Sequence, residues 1–164
     1  ILHCVLAGLA LMLFSGCAYS QKEVFPADVS TVALPIFENK SFYRHLDLDV
    51  SEALAKEVET RTPYKVVWRN SADTILEGTI VSVRQIQTSR QRQTGLPNEV
   101  DLQVVVDIVW KDMRSGEVLR ERRGMTTVGR YIPARLVGDT LKTAEFEVAQ
   151  NLAQDVVSVM RVGM

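Results

Sequence analysis

Residues 100–111 alternate between apolar and largely polar side chains without interruption. The even positions hold Val100, Leu102, Val104, Val106, Ile108 and Trp110, and the odd positions hold Asp101, Gln103, Val105, Asp107, Val109 and Lys111. Because successive side chains of a strand point to opposite faces, this pattern predicts a long strand with one core face and one face that is at least half polar. The chain must therefore fold around a sheet that is covered on one side.

The sequence around this strand predicts further strands. Residues 73–131 are typical of three long strands, and Asp112-Met113-Arg114-Ser115-Gly116 predicts a tight hairpin because glycine supplies the positive φ that such turns need. The connection 89–98, SRQRQTGLPN, is polar and predicts a mobile loop. Short runs at 31–36 and 64–68 predict two more strands.

Two segments have the periodicity of helices. The first covers residues 46–61, carries two aspartates in its first turn and ends at Thr62-Pro63, because proline disfavours helical geometry before it. Its apolar residues recur every four positions: Leu46, Val50, Leu54 and Val58. The second runs from Asp139, a suitable N-cap, to Met160. Its two apolar stripes, one of which includes Phe146, predict packing against both the sheet and the first helix.

The order β-α-β-β-β-β-α predicts an α+β fold. We expect two helices packed on one face of a mixed, mainly antiparallel sheet of four to five strands. The chain has 164 residues, of which 46% are hydrophobic and 24% charged. This size and balance fit one globular domain and exclude both wholesale disorder and a polytopic membrane protein.

The first 16 residues contain no charged side chain, which predicts the apolar part of a signal peptide. The run ends at Leu13-Phe14-Ser15-Gly16-Cys17, which resembles the bacterial lipobox, with Phe14 where that pattern prefers leucine. The resemblance implies that Cys17 carries the lipid anchor and that Ala18, not being aspartate, favours the outer membrane. We expect a signal peptide at 1–16, a lipidated tether at 17–30 and one domain at 31–164. The alternative is a buried cysteine in an apolar helix.

Groups that would support catalysis are scarce after the leader. His45 is the only histidine there, and the sequence has no glycine-rich phosphate loop and no histidine or cysteine cluster with metal spacing. The pairs Asp47/Asp49 and Glu57/Glu59 are typical of a solvated helix face, and His45 of a cap or surface residue. We therefore expect no enzyme, no cofactor and no metal. The alternative is a periplasmic hydrolase that uses carboxylates near His45.

The net charge of −1 argues against a nucleic-acid partner, but it hides an uneven distribution. Residues 84–135 contain ten basic and six acidic side chains, a net of +4, and the rest of the chain carries −5. Arginine binds phosphates and carboxylates with two hydrogen bonds, so Arg84, Arg120 and Arg122 are candidates for binding an anionic headgroup. A solvated strand face, or an edge strand guarded by charge, is the alternative.

Several segments, in this order, resemble the LptE family of lipopolysaccharide-assembly lipoproteins. They follow the lipobox and cover essentially the whole mature chain: Val32–Arg44, Ser51–Val67, Ala72–Ile80, Thr94–Glu99, Trp110–Leu119 and Asn151–Met160. The resemblance implies a two-helix, mixed-sheet domain that sits as a plug inside the LptD β-barrel, helps that barrel to assemble and helps to deliver lipopolysaccharide to the cell surface. It implies lipopolysaccharide and the barrel as partners. The alternative is an auxiliary lipoprotein of an ABC-type or intermembrane lipid transporter.

Overall fold

The computed structural model describes residues 25, 26, 28–90, 97–133 and 141–161, apart from the side chains of residues 89, 90, 97 and 98. Its elements are β1 (Thr31–Ala33), β2 (Glu38–Asn39), α1 (Leu46–Arg61), β3 (Lys65–Val66), β4 (Thr74–Arg90), β5 (Pro97–Asp112), β6 (Val118–Tyr131) and α2 (Leu141–Val159), with a 3₁₀ turn at Arg69–Ser71. The predicted order is confirmed. Strand β2 is one more strand than the sequence predicted.

The strands form one mixed sheet in the order β3-β1-β4-β5-β6, and β2 pairs with β4 farther along that strand. The pairs β1–β3, β1–β4 and β2–β4 are parallel and short. The long pairs β4–β5 and β5–β6 are antiparallel. The predicted α+β class is confirmed, with six strands in place of four to five.

The alternation in β5 is reproduced in the structure. All six even-numbered residues from Val100 to Trp110 are buried, and none of the odd-numbered residues between them is. The buried residues form one core with the apolar sides of both helices. Both helices therefore lie on the same side of the sheet, and the odd-numbered residues of β5 face away from them.

Helix α1 covers the predicted residues, and Leu46, Val50, Leu54 and Val58 are all buried. Helix α2 packs against β5, β6 and α1, as predicted. The prediction is wrong at Phe146, which is 65% exposed, while Glu145 beside it is buried and lies 2.9 Å from the Lys142 ammonium. The apolar face of α2 is therefore narrower at Phe146 than predicted, although the helix remains buried along Val148, Ala149 and Leu152.

Several element ends differ from the predictions. The strands predicted at 31–36 and 64–68 shorten to β1 and β3, since neither continues its ladder. Strands β4 and β5 instead extend into the predicted loop 89–98, because their ladder continues to the pair Arg90 and Pro97. Residues 91–96 and the predicted cap Asp139 lie outside the described residues.

The described chain is packed from Phe25 onward. The rings of Phe25 and Tyr64 meet edge to face at 5.7 Å, and the Tyr64 ring lies 5.8 Å from that of Trp110. Val29 is buried in the core. The last part of the segment predicted as a tether therefore belongs to the domain. The predicted leader and Cys17 lie outside the described residues.

Candidate functional site

The sheet face opposite the helices is polar, and most of its cations are paired. The Lys111 ammonium lies 2.9 Å from the Glu77 carboxylate. The Arg130 guanidinium donates two hydrogen bonds, of 2.7 and 3.4 Å, to the two carboxylate oxygens of Asp101. The Arg130 bond lowers the pKa of Asp101, and the same contact raises the pKa of Arg130. These four charges neutralise one another and leave no free cation among them.

Two more arginines of the basic region have carboxylate partners. Arg123 Nε lies 2.6 Å from Glu121 Oε1, and the hydrogen bond raises the pKa of Arg123. Arg114 Nη2 lies 3.4 Å from Asp73 Oδ1. Both arginines are therefore bound within the domain.

Arg84, Arg120 and Arg122 differ from the other described cations of this region. All three side chains are exposed, and none forms an ion pair with a carboxylate of the described residues. Within the described parts of the chain, Arg120 donates only to the neighbouring Leu119 carbonyl, at 2.7 Å. Among the basic residues of 84–135 whose side chains the structure describes, these three arginines are the ones without a carboxylate partner.

The structure does not bring the three arginines together on one face. Directly paired residues of neighbouring strands point to the same side of a sheet. Arg120 pairs with Trp110, and Arg122 with Ile108, so these two lie on the helix side of the sheet. Arg84 pairs with Gln103 and lies on the opposite side. Arg84 and the pair Arg120 and Arg122 therefore lie on opposite faces of the sheet.

A β-bulge explains this difference. Ile80 pairs with Val106 and Ser82 with Val105, so Val81 is an extra residue in β4. The extra residue reverses the alternation of the residues that follow it, up to the next irregularity after Gln87. Without it, Arg84 would share the face of Ile80, four residues earlier. With it, Arg84 points away from the helices.

A second bulge lies beside the other two arginines. Gly124 has a φ of 67°, and its amide donates a 2.7 Å hydrogen bond to Asp107 Oδ1 on β5. Between the pairs Val106–Met125 and Ile108–Arg122, strand β6 has one residue more than β5. The bulge separates the half of β6 that carries Arg120 and Arg122 from the half that packs against α2.

Helix α2 protects that second half of the edge strand. Asn151 Nδ2 donates to the Val128 carbonyl at 3.2 Å, and Glu147 Oε2 accepts from the Arg130 amide at 2.8 Å. These side chains satisfy backbone groups on the unpaired side of β6. Arg120 and Arg122 instead lie on the half with no such contact to α2 among the described residues.

Of the residues considered for catalysis, His45 and Glu59 are exposed and Asp47 and Asp49 are partly buried, whereas only 14% of the Glu57 side chain is exposed. His45 is exposed at the N-cap position of α1, as predicted, but its side chain makes no capping hydrogen bond. Glu57 binds Arg61 at 2.7 Å, and Asp49 lies 3.5 Å from the Lys142 ammonium. No cluster of three metal-ligating side chains occurs within the part of the chain that the structure describes.

Asp73 is a structural residue that the sequence analysis missed. Its Oδ2 accepts hydrogen bonds from the Ser30 amide, the Thr31 amide and the Thr31 hydroxyl at 3.2, 3.0 and 2.8 Å. These bonds, led by that of the Thr31 side chain, lower the pKa of Asp73. With Arg114, the carboxylate joins the start of β1 to the turn before β6. Its position just before a strand was the only signal in the sequence.

Together, these features define a small α+β domain with three exposed arginines that have no carboxylate partner among the described residues. The family model of LptE, described as lipopolysaccharide-assembly, matches residues 29–160. The chain belongs to the LptE family. No individually curated protein matches the sequence significantly. Among the described residues, no helix is both long and apolar enough to cross a membrane.

Solved structures share the fold at low sequence identity. A protein from Xanthomonas campestris has a TM-score of 0.54 at 9% identity and covers 84% of this chain and 89% of its own. An uncharacterized lipoprotein B from Nitrosomonas europaea has a TM-score of 0.51 at 18% identity, with coverages of 87% and 88%. A PelC variant from Paraburkholderia phytofirmans has a TM-score of 0.51 at 17% identity, with coverages of 84% and 88%.

Proposed function

We propose that this protein is an outer-membrane lipoprotein, attached through Cys17, that assists assembly of an LptD β-barrel and delivery of lipopolysaccharide to the cell surface. The observation that carries the proposal is the match to the LptE family over residues 29–160, which covers nearly the whole described domain. In this role the protein acts as a plug and as a binding partner of lipopolysaccharide, and it performs no catalysis.

The charge arrangement supports a role inside a barrel. The lumen of an outer-membrane barrel is polar, so a plug must present polar surface to it. The outer sheet face of this domain has such a surface, because the pairs Lys111–Glu77 and Arg130–Asp101 leave it mixed in charge and nearly neutral. Such a face forms polar contacts without burying a large excess of one charge.

The free arginines support binding of an anionic glycolipid. We propose two separate anion contacts, one at Arg84 on the outer face and one shared by Arg120 and Arg122 on the other side of the sheet. Guanidinium groups bind phosphate with two hydrogen bonds, and these three have no competing carboxylate among the described residues. A ligand that engages both contacts must reach across the sheet or around its edge.

The proposal is tested by isolating the full lipidated chain from membranes in mild detergent and identifying what co-purifies with it. We expect a large outer-membrane β-barrel of the LptD type. Recovery of the chain as a free protein at every detergent condition would contradict the partnership.

The same experiment separates the alternative role. An auxiliary lipoprotein of an ABC-type or intermembrane lipid transporter would instead cross-link to an inner-membrane or periplasmic complex. Cross-linking before membrane lysis preserves such contacts, because they span two compartments. Recovery of transporter subunits without a barrel would replace the proposed function with this one.

A further inference from the structure

A tryptophan lies in solvent just after the edge strand β3. Trp68 is 89% exposed, whereas Trp110, the other tryptophan of the chain, is buried in the core. The backbone at Trp68 is ordered, because its carbonyl accepts a 2.9 Å hydrogen bond from the Ser71 amide at the end of the 3₁₀ turn. An indole combines a large apolar ring with one N–H group, and this combination suits the boundary between water and lipid.

Strand β3 lies beside the place where the described chain begins. The Lys65 amide donates to the Ser30 carbonyl at 3.0 Å, and the ring of Tyr64 lies 5.7 Å from that of Phe25. Trp68 follows Tyr64 by four positions, which a fully extended chain spans in about 14 Å at most. The exposed indole is therefore close to the point from which the chain leads back to Cys17.

The proposed lipid at Cys17 keeps this part of the domain near a membrane. Phe25 follows Cys17 by eight positions, and a fully extended chain of that length spans about 28 Å at most. The start of the described domain, with β3 beside it, must therefore lie within that distance of the lipid attachment. A plug inside a barrel is compatible with this placement, because the tether must leave the lumen at this end to reach the bilayer.

The charges around Trp68 also suit phospholipid headgroups. Residues 62–72 contain two basic side chains, Lys65 and Arg69, and no acidic one. Arg69 Nη2 lies 3.6 Å from Glu77 Oε1. Lys65 is exposed and forms no ion pair with a carboxylate of the described chain, so its ammonium is available to a phosphate.

We propose that Trp68 and Lys65 form a second contact with the membrane, in addition to the lipid at Cys17. The indole lies at the level of the phospholipid headgroups, and the ammonium binds a phosphate. The indole carries most of the contact, because the exposed Asp28 offsets part of the local positive charge. The contact fixes the orientation of the domain on the bilayer, which a single point of attachment does not.

This inference rests on the proposed lipidation of Cys17, because one indole and one ammonium do not hold a domain on a bilayer by themselves. Stable attachment of a lipidated protein takes two membrane signals, and the strongest here is the lipid. Cys17→Ala should therefore still release the protein, and the contact at Trp68 should form only in the anchored chain.

Tryptophan fluorescence of the full lipidated chain tests the contact. The chain is reconstituted in vesicles of phosphatidylethanolamine and phosphatidylglycerol, with brominated lipids as quenchers. We expect quenching and a blue shift of the emission relative to the Cys17→Ala chain in solution. Trp68→Phe should remove both effects, because the remaining Trp110 is buried in the core. Its thermal unfolding should match that of the wild type, because only an exposed side chain changes.

Phe42→Trp, combined with Trp68→Phe, provides the matched control. Phe42 is fully exposed, and the Tyr43 hydroxyl next to it accepts a 2.7 Å hydrogen bond from Gln85 of β4. Gln85 follows Thr74, the first residue of β4, by eleven positions, which corresponds to about 36 Å of strand. The tryptophan at this distant position should show the emission of an exposed ring and no quenching by lipid.

Lys65→Glu tests the phosphate contact. It should weaken the quenching of Trp68 in vesicles that contain phosphatidylglycerol, because a carboxylate is repelled by the lipid phosphates. Lys56→Glu changes the net charge equally at an exposed position of α1 and should leave the quenching unchanged. An equal loss in both variants would exclude Lys65 from the contact.

The outcomes distinguish this inference from the proposed function. If the lipidated chain stays on the vesicles while Trp68 is not quenched, or if positions 68 and 42 are quenched equally, the contact is overturned and the lipid anchor is not. If the wild-type chain carries no lipid and does not stay on the vesicles, the anchor is contradicted, and the contact that depends on it is contradicted as well.

Discussion

Gly129 of β6 lies directly against the Ala144 carbonyl of α2, with no room for a β carbon between them. A β carbon there would also lie 2.9 Å from Val148 Cγ2. We predict that Gly129→Ala lowers the free energy of unfolding by about 1 to 3 kcal/mol, as overpacking of a tight contact does. Urea unfolding measures the loss. Val128→Ala, at a partly exposed neighbouring position, should cost less, and equal losses would contradict the close helix–strand contact.

The ion pair of Asp101 and Arg130 predicts that the stability of the fold depends on pH. The pKa of Asp101 in the folded protein lies below its unfolded value of about 3.9. The ion pair therefore stabilises the fold above that pH. This stabilisation is lost as the pH falls through the folded pKa. Asp101→Asn should therefore be less stable than the wild type at pH 7, and the difference should shrink in acid. Unfolding curves between pH 7 and pH 3 measure it. A difference that is independent of pH would exclude the pair as its cause.

The two proposed anion contacts predict additive losses in binding. Arg120→Ala with Arg122→Ala should weaken binding of lipopolysaccharide at low salt, and Arg84→Ala should weaken it separately, because sites on opposite faces share no contacts. Arg123→Ala is the matched control, since that arginine is bound to Glu121. Titration at two salt concentrations measures the losses. If a variant with alanine at all three positions binds lipopolysaccharide with unchanged affinity, these arginines do not form the proposed anion contacts.

The proposed lipid at Cys17 predicts that membrane anchoring and folding of the domain do not depend on each other. Cys17→Ala should release the protein from the membrane fraction, because lipid chains give about 0.8 kcal/mol of membrane affinity for each buried methylene. The domain should keep its thermal unfolding transition, since none of its described contacts needs that thiol. Fractionation of cells followed by unfolding of the soluble variant tests both parts. Retention in the membrane would show that the anchor lies elsewhere.

The elements predicted best from the sequence are those with many repeats of one period. Strand β5 shows twelve residues of alternation, and α1 shows four apolar residues at a helical spacing, so each pattern is hard to confuse with another. Strand β2 has only two residues and no periodicity. Its pairing with Thr79 and Ile80 depends on a distant part of the chain, so local sequence could not predict it.

The assignment of the candidate anion-binding residues stays a prediction, and the sequence did not indicate how they are arranged. The excess of basic residues in 84–135 identified Arg84, Arg120 and Arg122, and these are the described cations of that region without a carboxylate partner. Their separation onto two faces depends on the extra residue Val81, which reverses the alternation within β4. A bulge is set by pairing with a neighbouring strand, and a single strand's sequence does not reveal it.

Depletion of this protein in its own host tests the central claim most directly. The measurement is the amount of folded LptD-type barrel in the outer membrane, together with the lipopolysaccharide that is accessible at the cell surface. We predict that both fall as the protein is depleted and that both recover when the wild-type chain is expressed again. Normal levels of both in fully depleted cells would contradict a role in lipopolysaccharide assembly.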